Sequence, residues 1–384
     1  MSLEFINDTE LQATWHFAFD LEGREVVYTR AKVTYQLPPE DPTNRGRPDA
    51  NAPLQLAQKQ LPLVEADEHF GEPGKSATRY ESDFAQLKPK CDVLVIGSAY
   101  APRQQPTRSV DVGFACGSLH KTFTVSGAQY WDQTLTGLRA SDPEPFLTRT
   151  LTYDLAYGGS DVLEEKPEQC ETYRQNPVGC GFYPLSAKEK KLGGKRIASI
   201  HERGRPAVEP VGQYAPLSLT PLARNVASRL AFTGTYDEKW LNERVPLMPL
   251  DFDMRYFQCA PDDQQMPYPR GGELVMLQNL TPTGNTSFRL PQPQLTILYT
   301  FHNGRAVQHE AVVDTLTIEP DKGVLTMCYR ASMAMPKSCF DIRQLVVGRT
   351  AEQHRVSQRR AGKPHYKGLG ELVRAQLEQK KRGS

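Results

Sequence analysis

The sequence lacks any apolar run long enough to cross a bilayer as a helix; stretches such as 93–96 and 295–298 are far too short. Its opening, Met-Ser-Leu-Glu-Phe-Ile-Asn-Asp-Thr-Glu, is acidic and has neither the cationic start nor the apolar core of a secretory signal. Export by the general pathway is therefore not expected, and a bacterial cytoplasmic location is. Cysteine is sparse: the thiols at 91, 116, 170, 180, 259, 328 and 339 are odd in number and form no Cys-x-x-Cys pair. That excludes a disulfide framework or zinc knuckle and fits a reducing compartment in which cysteines act as small buried hydrophobes. Charge of one sign is also missing, since 46 Lys+Arg meet 45 Asp+Glu, so a globally basic nucleic-acid binder is excluded. There is no Walker loop, no Gly-x-Ser-x-Gly elbow and no His-Glu-x-x-His. The eight His (16, 69, 120, 201, 302, 309, 354, 365) stand singly, and His302 and His309 fall on opposite faces if their segment is a strand.

What is present is ordinary for a soluble globular chain of 384 residues: 39% apolar, 24% charged, with 28 Gly and 30 Pro. That length suits two domains or one large domain with insertions, and it buries enough surface to need no metal or disulfide. The turn-rich composition points to short strands joined by ordered loops rather than a helical bundle.

Val27, Ala31, Val33, Tyr35 and Leu37 alternate with Tyr28, Arg30, Lys32, Thr34 and Gln36, which predicts a half-buried strand after a turn at Gly23. Residues 38–80 carry repeated Pro, Asp, Asn and Gly and read as a long irregular excursion. Period-two spacing returns over 91–97, 110–116, 123–125 and 151–157, and again over 295–301, 316–318, 324–329 and 342–347. The later group implies a second sheet or the other half of the first. Residues 158–216 are loop-like; Thr220-Pro221 then resembles a helix start, with Leu222, Val226 and Leu230 on one face. From 349 to 384 there are 10 Lys/Arg against 3 Asp/Glu, leaving 36 against 42 upstream. Leu369, Leu372, Val373 and Leu377 sit at helical spacing within that basic tail. The expectation is a mainly β fold, with sandwich-like sheets, long irregular loops, a few short helices and a C-terminal amphipathic helix; α+β is the alternative. Its parts are a β-rich N-terminal half (1–160), a loop-rich segment with one central helix (161–265), a β-rich C-terminal half (266–348) and a basic helical tail (349–384).

The densest polar cluster is Asp251-Phe-Asp253 followed by Ala260-Pro-Asp262-Asp263-Gln264. Two alternating carboxylates on a strand face with two more from a turn suit a divalent cation or a shared proton. The same residues equally suit turn and helix caps, which need no ligand. The capping reading is preferred because no His, Lys or Arg at fixed spacing accompanies them. In Gly234-Thr-Tyr236-Asp237-Glu-Lys-Trp240, Asp237 is placed to cap a helix and Trp240 to anchor a loop.

These motifs, with Cys91-Asp-Val-Leu-Val-Ile-Gly-Ser-Ala-Tyr-Ala-Pro102, Pro143-Glu-Pro-Phe146, Leu151-Thr-Tyr-Asp-Leu-Ala-Tyr-Gly-Gly159 and Asn176-Pro-Val-Gly-Cys-Gly-Phe182, occur in order along the chain. Together they resemble the bacterial domain-of-unknown-function family numbered 2169, over roughly residues 5 to 348. The resemblance implies an adaptor, or chaperone-like protein, of the type VI secretion system. Such a protein accompanies a toxic effector and helps load it onto the VgrG spike, often with a PAAR-tip protein. It implies no catalytic residues, no cofactor and no metal, and neither nucleic acid nor membrane as partner. Two further readings stand beside it: a metal-dependent hydrolase built on Asp251, Asp253, Asp262 and Asp263, and a structural component of the secreted assembly. The residues singled out for partner binding or motif structure are those four, Gln264, Tyr236, Asp237, Trp240, Asn176 and Phe182.

Overall fold

Residues 3–39, 50–161, 169–184, 191–335, 338–360 and 373–374 are described, from a computed structural model. The chain is mainly β. The largest sheet has seven strands: Gln265–Met266, Cys91–Val95, Val312–Glu319, Val324–Ala334, Glu25–Gln36 and Gln12–Phe19 in spatial order, with Gln55–Leu56 also on Glu25–Gln36. A five-stranded sheet runs Ile200–His201, Leu119–Ser126, Ser109–Cys116, Leu274–Gln278, Asn285–Arg289. A four-stranded sheet runs Glu4–Asn7, Ile342–Val347, Thr296–Phe301, Ala306–Glu310.

Each of these sheets mixes strands from both ends of the sequence. Glu25–Gln36 pairs antiparallel with Val324–Ala334 over eleven residues, Cys91–Val95 pairs parallel with Val312–Glu319, and Glu4–Asn7 pairs parallel with Ile342–Val347. The strands after 266 thus complete the same sheets as those before 160. One apolar core joins all three, containing Val27, Val93, Leu316 and Met327 from the first, Phe114, Phe123 and Phe288 from the second, and Ile297, Tyr299 and Leu345 from the third.

The alternation that predicts the first long strand is present, but its polar side is not a solvent face. Arg30, Lys32 and Thr34 are 2%, 6% and 0% exposed. The irregular excursion lies across them. Gln60 accepts from the backbone N–H of Thr34 through Oε1 at 2.7 Å and donates to its carbonyl through Nε2 at 3.0 Å, occupying the place of a neighbouring strand. Along Val312–Glu319 the register shifts between Val313 and Thr315, leaving Asp314 as an extra, bulged residue. The bulge changes which positions face the core, from Val313 before it to Leu316 and Ile318 after it.

Several local expectations are corrected. Residues 221–226 are not helical; the helix is the single turn Ala227–Leu230, and Thr220 bonds the Ser218 hydroxyl at 3.0 Å instead of capping. The cause is tertiary, because the Leu222 N–H is taken by the Cys259 carbonyl at 2.8 Å and the Ala227 N–H by that of Arg174 at 2.8 Å. The 161–265 segment also holds a second helix, Glu238–Glu243. Within 151–157, a 3-10 turn Tyr153–Leu155 capped by Thr152 replaces most of the expected strand. At the C-terminus a helix occupies Ala351–Arg360. Of the expected amphipathic stripe, Val373 is helical and exposed, whereas Leu369, Leu372 and Leu377 lie outside the described residues.

Candidate functional site

The second face of the seven-stranded sheet carries the densest chemistry in the molecule. At its centre the bulged Asp314 accepts from Arg30 Nη1 at 3.0 Å and Arg330 Nε at 2.9 Å, both on Oδ2, while the Thr315 hydroxyl donates to Oδ1 at 3.1 Å. Burial by itself would raise the Asp314 carboxyl, but Arg30, Arg330 and Lys88 hold it below the usual carboxylate range. Beside it, Lys88 Nζ donates to Asp92 at 2.8 Å and to Thr315 at 2.9 Å, and Asp92 also receives Gln258 Nε2 at 2.5 Å and the Cys259 N–H at 2.9 Å. Burial opposes the Lys88 charge, yet chiefly Asp92 keeps its pKa well above the ordinary lysine value.

Around this centre further charges are paired. Lys32 bonds Asp83 and donates to the Pro62 carbonyl at 3.2 Å. Glu81 takes both Nη atoms of Arg229, at 2.6 and 2.8 Å, and a third bond from Arg224, which also grips Asp67. Glu319 receives the Tyr80 hydroxyl at 2.6 Å and Lys322 at 2.7 Å. Between this cover and the sheet lies a cavity of about 200 Å³, floored by Thr315, Thr317 and Thr326 and walled by Tyr80, Arg79 and Asp83.

The residues singled out in the sequence are placed elsewhere. Asp251 and Asp253 are not on a strand: Asp251 accepts from the Thr235 N–H at 3.0 Å and its hydroxyl at 2.7 Å, and Asp253 caps the 3-10 turn Met254–Phe257 while pairing with Arg255 at 2.6 Å. Asp263 pairs with the buried Lys121 at 3.0 Å, and Asp262 opens the short turn Asp262–Gln264, within 3.4 Å of Gln265 Nε2. The four carboxylates therefore serve separate local purposes. Among the described residues no group of three or more His, Cys, Asp or Glu could hold a metal ion. Gln264 is fully buried and bridges sheets, accepting from Lys121 at 2.9 Å and donating to the carbonyls of Val93 and Leu219 at 2.9 and 3.1 Å. Burial outweighs Asp263 at Lys121 and lowers its pKa.

Asp237 caps Glu238–Glu243 by accepting from the Trp240 N–H at 2.8 Å; Trp240 Nε1 donates to the Leu247 carbonyl at 2.9 Å, and Tyr236 packs edge-on against the indole at 4.6 Å. Asn176 joins two motifs, because its Nδ2 donates to the carbonyls of Tyr153 and Tyr157 at 2.9 and 3.0 Å. A Cβ at Gly158 would stand 2.2 Å from the Asn176 carbonyl oxygen, so the close approach requires glycine there. Phe182 packs with Tyr157 and Tyr173 at 6.4 and 5.6 Å between ring centroids.

Reading the sequence misses Arg30, Lys88, Asp92, Asp314 and Arg330. A signal for two of them is present: Asp92 interrupts Cys91-Asp-Val-Leu-Val95 and Asp314 interrupts Val312-Val-Asp-Thr-Leu316, and a carboxylate inside an apolar run requires a buried partner.

No helix among the described residues is long and apolar enough to cross a membrane. No curated protein and no solved structure matches the chain. Residues 22–330 match the family described as an uncharacterized protein conserved in bacteria (DUF2169), and with most of its length matched the chain belongs to that family.

Proposed function

We propose that this protein is a non-catalytic adaptor that binds a type VI secretion effector and helps load it onto the VgrG spike, with or without a PAAR-tip protein. The family resemblance supplies the partners. The observation that supports a binding role is the edge of the seven-stranded sheet. Gln12–Phe19 pairs only with Glu25–Gln36 among the described residues, and its Phe17 and Phe19 are 51% and 41% exposed. A strand with one open edge and exposed aromatics along it is suited to receive an extended segment of a second polypeptide by strand addition. The same corner carries more apolar surface: Arg244 donates to the Leu21 carbonyl at 2.6 Å, and its neighbours Leu241, Val245 and Leu250 are exposed. The internal engagement of Asp251, Asp253 and Asp263 fits a scaffold better than a hydrolase built on them.

The test is to identify the genes flanking this one and to co-express the protein with any toxin found among them. A single gel-filtration peak containing both chains is expected, and replacing Phe17 and Phe19 by Ser should split it. Clean separation of the unmodified proteins at micromolar concentration would count against the adaptor reading.

A further inference from the structure

The cavity beneath the excursion has features that the adaptor reading does not use. Most of its charged walls are neutralised within the protein: Lys32 by Asp83, Lys88 by Asp92, Lys322 by Glu319, and Glu81 by Arg224 and Arg229. The exceptions are Glu68 and, on the same hairpin, Arg79. Its guanidinium lies over the rings of Phe70 and Tyr80, at 5.7 and 5.3 Å, and its buried Nε has no hydrogen-bond acceptor among the described residues. The acid lining the cavity on the same hairpin, Glu68, is solvent-exposed and makes no ion pair with it. On the floor, Thr317 and Thr326 face each other across the register of adjacent strands. Neither hydroxyl is in a hydrogen bond with a described residue, although Thr315 beside them is fully engaged.

One guanidinium fork and two free hydroxyls form the complement of a carboxylate. The Nη atoms of an Arg present N–H donors that match a carboxylate, and the Phe70 and Tyr80 rings flank the Arg79 guanidinium. The cavity, about 200 Å³, limits the ligand to a small one. We propose that this cavity binds a compact free carboxylic acid, with its carboxylate on Arg79 and the hydroxyls of Thr317 and Thr326 around it. The inference is independent of the adaptor reading, since it depends on no protein partner.

Calorimetric titration of the full chain with succinate tests it, with the neutral isostere succinamide as control. Saturable binding of succinate in roughly the millimolar range is expected, with succinamide weaker by about tenfold or more, because hydrogen bonds to a charged group are the stronger ones. Arg79→Gln should lose a similar factor, and Thr317→Val with Thr326→Val a smaller one. Should Arg79→Gln fail to fold, the Nε–H resonance of Arg79 in the unmodified protein is expected to shift on succinate addition and not on succinamide. Equal binding of the two compounds, no saturable binding of succinate, or an unmoved Arg79 resonance overturns the proposal.

Discussion

Asp314 is the residue whose loss should matter most. Its Oδ2 is shared by two guanidiniums that are almost fully buried, so Asp314→Asn leaves Arg30 and Arg330 without a compensating charge. Removing one partner from a buried ionic group costs about 3–5 kcal/mol, and the urea midpoint should fall accordingly with an unchanged slope. Asp253→Asn should cost less than about 1 kcal/mol, because Asn caps as well as Asp and only the exposed pair with Arg255 is lost, and should leave effector binding intact. A loss of effector binding in a folded Asp253→Asn protein would give that carboxylate a role beyond capping. His16 supplies a pH dependence. Burial first, and then the charge of Arg30, lower its pKa from 6.5 to about 4. The unfolded chain therefore binds a proton at His16 that the folded chain refuses, so stability declines as pH falls from 6.5 toward 4. The melting temperature of His16→Asn should fall less steeply across that window. The capping of Glu238–Glu243 by Asp237 was fully legible in the sequence, because a cap and its helix are neighbours in the chain. The partners of Asp314 were not, since Arg30 lies 284 positions away.

At the scale of elements, the strands follow from their period and the irregular segments from their Pro and Gly. The misread element is the helix expected from Thr220. Its pattern of Leu222, Val226 and Leu230 is genuine, but six residues of marginal helix cannot compete with backbone bonds to Cys259 and Arg174 that also bury Val226. Beside the short parallel strands Tyr157–Gly158 and Cys180–Gly181, Asn176 ties its loop to both ends of the Tyr153–Tyr157 turn. Asn176→Ala should strand the Tyr157 carbonyl, leave that of Tyr153 with only the Ala156 N–H, and cost about 1–3 kcal/mol, measured by chemical denaturation. The double substitution of Phe17 and Phe19 by Ser acts on an exposed edge. Its melting temperature should stay near that of the unmodified protein while the effector complex weakens, which separates a docking role from a packing one.

At the scale of the whole molecule, the interleaving of early and late strands governs folding. A fragment ending at residue 160 lacks Val324–Ala334, the partner of its longest strand, and Val312–Glu319, the partner of Cys91–Val95. Such a fragment should be unfolded by circular dichroism, and the full chain should show one main transition in which near- and far-ultraviolet signals coincide. Distinct, separable melting of residues 1–160 would contradict a shared core. The β character, the alternation of the long strands and the Asp237 cap are legible in the order of residues, because they depend on neighbours within a few positions and on backbone geometry common to all chains. That the polar side of the central sheet is an interior follows from tertiary packing alone. Residues 60–88 fold back across it, bringing Asp83 to Lys32, Glu81 to Arg229 and Lys88 to Thr315, and an alternating strand carries the same pattern whether its polar face meets water or a layer of buried ion pairs.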